Sequence, residues 1–199
     1  MRFLAALGMT AVVGLAVVLT SCGKNIDYMG LFMTFNESPD ERFAQSMEYN
    51  NVQHGYDHYT GIPDEYKVYA MSDIHVDFST DNLDRYVSDY LADTVAAPFS
   101  LCLGDVINAT GHWDYFAEHV KPVTDAGRTI HYVVGNHDLY FNQWPEYRSR
   151  LHTSTYWFDV QTVSGYKDLY IGLDSGNGTL GVDQRDWLES LLKEKKNQG

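Results

Sequence analysis

Three short segments of this chain carry residues whose types and spacing suit chemistry. Asp73 and His75 stand two apart in Asp73-Ile74-His75, Asp105 follows glycine in Gly104-Asp105-Val106-Ile107-Asn108, and a third segment reads Gly135-Asn136-His137-Asp138. Carboxylate oxygen, imidazole nitrogen and amide oxygen together suit divalent ions such as Mn, Fe or Zn. A carboxylate that bridges holds two such ions at the ~3.5–4 Å separation of a two-metal site. The glycines before Asp105 and Asn136 suit sharp turns that bring backbone close to the ions. Each residue also has a plainer reading, because Asp and Asn stabilise turns and Gly-Asp is a common loop pair. Clustering of all three segments favours the metal reading.

The elements that must position these groups are legible from apolar periodicity. Val68 to Met71, Phe99 to Leu103, Ile130 to Val134 and Leu169 to Leu173 are short β-rich runs, and each motif follows one of the first three. Tyr156 to Val160 reads as a further strand, paired with Leu169 to Leu173 through a Ser164-Gly165 turn. Thr80 to Val95 carries Leu83, Tyr86, Val87, Tyr90, Leu91 and Val95 on one helical stripe. Trp113, Phe116 and Val120 mark a second helix, stopped near Pro122 and Gly127. Asp183 caps a last helix with Trp187, Leu188, Leu191 and Leu192 on its apolar face. Strands alternating with helices imply an α/β sheet, in which groups just past the carboxyl ends of neighbouring strands gather on one rim.

The order D-x-H, G-D-x-x-[DN], G-N-H-[DE] is similar to the signature of calcineurin-like metallophosphoesterases. The resemblance covers residues 66–199 and implies an α/β fold, a metallophosphoesterase-like β-sandwich flanked by helices. It implies that Asp73 and His75 hold one divalent ion, that Asp105 bridges two, and that Asn136 holds the second. His137 would donate a proton to the leaving group, with Asp138 orienting its ring. The implied activity is metal-dependent hydrolysis of phosphate esters. The purple acid phosphatase branch carries Tyr where Asn108 stands, which disfavours it. The family completes its site with later histidines, including a G-H-x-H motif that this sequence lacks; Gly111-His112 precedes the third motif and is out of order. The expectation is therefore a domain with its second half truncated, a fragment of a longer protein. The alternative is a catalytically incomplete lipoprotein binding module built on the same core.

Ahead of the domain, Met1-Arg2 and the apolar run Phe3 to Leu19 read as a secretory signal peptide over residues 1–21. Leu19-Thr20-Ser21-Cys22 resembles a bacterial lipobox, which implies lipidation of Cys22, a membrane held by that lipid, and a cell-envelope location. Gly23 after the cysteine points to the outer membrane where one exists. The competing reading is an uncleaved spanning helix. Residues 22–65 form a lead-in in which Ser38-Pro39-Asp40-Glu41 is a helix start: Ser38 as N-cap, Pro39 first in the helix, Glu41 closing a capping box. Phe43 and Met47 then face the main domain. His54 and His58 have i, i+4 spacing, but Gly55 and their neighbours read as loop.

A net charge of −13 argues against nucleic-acid partners and requires ions to supply positive charge at any phosphate site. The second of the two cysteines, Cys102, lies inside an apolar run and reads as an inert buried thiol. His112, His119, His131 and His152 match no motif and read as surface or packing residues. Asp174-Ser175-Gly176-Asn177-Gly178 lacks a following Lys and reads as a plain loop.

Overall fold

In the computed structural model, residues 37–77, 80–93, 97–108 and 110–198 are described. The leader, Cys22, the start of the lead-in and Val95 lie outside them. Residues 37–65 belong to the same compact unit as the rest of the described chain.

Ser38 starts the first helix, α1 (Pro39–Glu48), by the full capping box. Its hydroxyl accepts from the Glu41 N–H at 3.2 Å, and Glu41 accepts from the Ser38 N–H at 2.8 Å. That reciprocity satisfies two otherwise orphaned donors and holds the Glu41 carboxyl below its ordinary range. A turn of π-helix (Tyr49–His54) follows. His58 opens a strand, β1 (His58–Ile62), so His54 and His58 share no helix face.

Two three-stranded sheets follow. One orders β2 (Tyr69–Met71), β3 (Ser100–Cys102) and β4 (Ile130–Tyr132), all parallel and in step: Met71 faces Cys102, which faces Tyr132. The other orders β1, β5 (Tyr156–Thr162) and β6 (Lys167–Gly172). β5 and β6 form the expected hairpin, whereas β1 pairs parallel with β5 and is irregular at Gly61, whose φ is +70°. Aromatic rings fill the core cluster. Phe158 meets Phe99 edge-on at 4.8 Å and stacks on Tyr170 at 4.9 Å, with Tyr59 against Phe99 at 5.1 Å.

Helix α2 (Asp81–Ala92) buries Leu83, Val87 and Tyr90. Helix α3 (Trp113–Asp125) buries Trp113, Phe116, Val120 and Val123. Pro122 lies inside α3 rather than stopping it, because the carbonyl it leaves without a donor is that of exposed Glu118. The chain leaves the helix at Gly127, φ +68°. Helix α4 (Trp144–Leu151) has no apolar stripe beyond Trp144 and Tyr147 and was not foreseen. Helix α5 (Asp183–Gln198) begins at Asp183, whose N–H is capped by the carboxylate of Asp40 at 3.0 Å. Its anchors are Leu191 and the fully buried Gln184, while Leu192 is half exposed.

A fully buried ion pair joins α1 to the loop after β6. Arg42 and Asp174 are both fully buried, paired at 2.7 and 2.9 Å by two guanidinium nitrogens. Arg42 also donates to Glu37 O and Asn177 Oδ1. Gln184 accepts from the Asp174 N–H and the Thr155 hydroxyl and donates to Asp174 O and Leu180 O, so its amide is fully used. The loop read from sequence as plain is a clasp.

Candidate metal centre

The loops after β2, β3 and β4 continue the parallel ladder past the strand ends. Asp73 N–H bonds to Gly104 O, His75 N–H to Asp105 O and Val76 N–H to Val106 O, at 3.1, 3.0 and 2.9 Å. Val76 and Ile107 form a further parallel bridge. This zipper fixes two of the three motif segments side by side.

The third is locked to the second by glycine. Gly104 has φ +96°, and a Cβ there would sit 2.7 Å from Gly135 N. A Cβ on Gly135 would collide with the backbone and carboxylate of Asp105. The glycines therefore serve to bring the two loops against each other. Asp138 completes the lock. Fully buried, it accepts from the N–H groups of Val106 and Ile107 with one oxygen, at 2.8 and 3.2 Å, and from Gly135 N–H with the other, at 2.9 Å. Burial pushes its carboxyl up to about 6, against the downward pull of those donors. The role expected for Asp138, orienting the His137 ring, gives way to this one: it steadies the loops through their backbone. The His137 ring instead places Nδ1 3.3 Å from Asn108 O. A carbonyl only accepts, so that nitrogen carries the proton and Nε2 is left for other work.

Three side chains converge on this rim. Ligand atoms of His75, Asp105 and His137 all lie within 4.8 Å of one another. His75 Nε2 is 3.9 Å from an Asp105 oxygen and 4.0 Å from an Asp73 oxygen. The rings of His75 and His137 meet edge to face at 4.2 Å, and His137 N–H donates to Asp105 at 2.9 Å. Asp73 is the exposed member, its side chain 70% accessible. Asn136 adjoins the cluster with its amide nitrogen on Tyr140 Oη, 2.6 Å away. Sequence reasoning passed over Tyr140, although its spacing of four from Asn136 was visible.

Asp73, His75 and Asp105 all have positive φ, +51°, +48° and +51°. Left-handed backbone costs an L-residue roughly 1–2 kcal/mol, and such conformations persist where surrounding bonds over-determine them. Here the loop ladder does so. The donor set fits a divalent ion: carboxylates of Asp73 and Asp105 stand beside Nε2 of His75, a mix of oxygen and nitrogen donors that suits a transition metal.

Residues 66–198 match the sequence profile of the family described as Calcineurin-like phosphoesterase. The chain belongs to that family. No curated protein and no solved structure gives a significant match. In this calcineurin-like phosphoesterase two small sheets are flanked by helices, with the D-x-H, G-D and G-N-H-D segments at the carboxyl ends of the parallel strands.

The remaining histidines of the phosphoesterase lie elsewhere. His131 stacks on Phe158 at 4.0 Å and bonds to Tyr59 Oη at 2.9 Å. Burial pushes it down to about 4, with Asp57 opposing and His54 adding a little. His119 pairs with Asp84 at 2.6 Å between α2 and α3. Burial pushes the Cys102 thiol far up, as an inert cysteine requires.

Proposed function

We propose that the rim formed by Asp73, His75, Asp105 and Asn136 holds two divalent ions, of Mn, Fe or Zn type, and hydrolyses phosphate esters. The observation that carries this reading is the convergence of His75, Asp105 and His137 donor atoms within 4.8 Å at parallel strand ends. Ions held there supply the positive charge that phosphoryl transfer needs and acidify the attacking water. The protein, at −13, does not supply that charge in bulk. Asp105, beside both His75 and His137, would be shared by both ions. His137, with Nδ1–H turned to Asn108, leaves Nε2 facing the rim; as imidazolium it would give its Nε2 proton to the leaving oxygen and keep the one on Nδ1.

The test is a Mn(II) titration with steady-state hydrolysis of aryl and alkyl phosphates. Asp105→Asn loses metal and turnover together. His137→Gln keeps its metal and loses roughly 10²–10⁴-fold in rate, less for the aryl ester, whose leaving group needs little protonation. Metal loss in His137→Gln makes His137 a ligand instead of the acid. A wild-type chain that binds no metal supports the binding-module alternative.

We place the enzyme in the bacterial cell envelope, anchored through lipid on Cys22 and in the outer membrane where one exists, on the support of the leader and the lipobox-like residues before that cysteine. Among the described residues no helix is long and apolar enough to cross a membrane. Cys22→Ser abolishes labelling by a fatty-acid probe and leaves the precursor uncleaved; persistent labelling refutes the anchor.

A further inference from the structure

Asn136, unlike the carboxylates of Asp73 and Asp105, is a proposed ligand whose donor end is not fixed by its own chemistry. A carboxylate offers oxygen from either side, but an amide offers oxygen from one side and two N–H donors from the other. An N–H end turned toward a cation repels it. Something must therefore choose the rotamer, and the side chain bonded to this amide is Tyr140.

Tyr140 is 6% exposed and closes the short 3₁₀ turn His137–Leu139 by bonding its N–H to His137 O. Its hydroxyl oxygen accepts from Asn136 Nδ2 at 2.6 Å. Its ring lies 4.5 Å from the His137 ring, centroid to centroid. One side chain thus holds the nitrogen end of Asn136 and braces the neighbouring imidazole. An amide held by its nitrogen presents its oxygen on the opposite side, the end that a cation accepts.

We propose that Tyr140 is a positioning residue that fixes the amide of Asn136 oxygen-out for the metal. This rests on the metal reading above and deepens it. Partners one step behind a ligand commonly change metal affinity 10–100-fold when removed, and the hydroxyl is the part of Tyr140 that makes this contact.

Tyr140→Phe keeps the ring against His137 and deletes only the hydroxyl. Mn(II) binding to the metal-free full chain, followed by electron paramagnetic resonance, is compared for wild type, Tyr140→Phe, Asn136→Asp and the double variant. The weaker Mn(II) site of Tyr140→Phe loosens 10–100-fold. In the Asn136→Asp background the same change has no effect, because a carboxylate has no wrong end. Equal affinity of Tyr140→Phe and wild type, or equal loosening in both backgrounds, overturns the inference. NMR of the Asn136 side-chain amide gives a readout without metal: its protons exchange slowly in wild type and fast in Tyr140→Phe. Identical exchange in the two overturns the inference as well. Should wild type take up no Mn(II), the metal reading itself falls, and the amide exchange alone decides whether Tyr140 holds Asn136.

Discussion

Replacing Arg42 by methionine keeps most of the side-chain volume and removes a guanidinium that touches no solvent. Asp174 then stays fully buried, with the Ser154 hydroxyl at 3.2 Å and the Gly176 backbone N–H at 3.1 Å as the remaining donors to its carboxylate. Deleting one partner of a buried pair costs about 3–5 kcal/mol, since the other charge is stranded. A domain of this size shifts in Tm by roughly 2–4 °C per kcal/mol, so the loss is on the order of 10 °C. Adding Asp174→Asn to Arg42→Met removes the stranded charge and recovers much of the deficit, a coupling that a double-mutant cycle reads directly. Urea unfolding of the metal-free protein followed by circular dichroism provides the free energies without a contribution from bound ions. A loss under about 1 kcal/mol in Arg42→Met, or a double variant weaker than the two singles added, refutes the reasoning.

Gly135→Ala drives a methyl into the backbone and carboxylate of Asp105; it costs about 1–3 kcal/mol and abolishes Mn(II) uptake, and unchanged melting with unchanged uptake would falsify the packing argument. His131, held near 4 in the folded protein against 6.5 ordinarily, binds its proton more readily when unfolded. Wild type therefore loses stability as pH falls from about 6.5 towards 4, by up to about 3 kcal/mol. His131→Phe lacks that slope, so the difference between the two urea curves across this window isolates the histidine; parallel curves contradict it. The Asp138 carboxyl, raised towards 6, acts with opposite sign between pH 3.8 and 6 and cancels in that difference.

Local patterns were readable where local physics decides. The capping box of α1 needs only four residues, and the β5–β6 hairpin needs only its turn and two apolar runs. The metal-centre segments were visible because glycine and polar ligands stand out directly after apolar strands. What the sequence concealed is non-local or weakly patterned. β1 is interrupted by Gly61 and largely exposed, so no alternation announces it. Pro122 sits where its missing bond falls on exposed backbone. Arg42 and Asp174 lie 132 residues apart, and no periodicity connects them. Asp138 looked like a partner for its neighbour His137, yet one of its oxygens is taken by N–H groups of a loop some 30 residues earlier and the other by Gly135 N–H.

The parallel pairing of β1 with β5 carries a kinetic consequence. His58 and Asp159 are neighbours across the sheet but 101 residues apart in the chain. During synthesis β1 leaves the ribosome long before the strand it needs, whereas β5 finds β6 at once through a short turn. Long-range parallel pairing comes slowly because the intervening chain must be ordered first. Between those events the hairpin presents the outer edge of β5 unpaired, and a bare edge accepts strands from other molecules. The first strand made of this sheet is thus the last to dock, and it covers an edge that would otherwise accept other copies. Pulsed hydrogen exchange during refolding shows this order as protection in β5 and β6 ahead of β1; simultaneous protection of all three strands contradicts it.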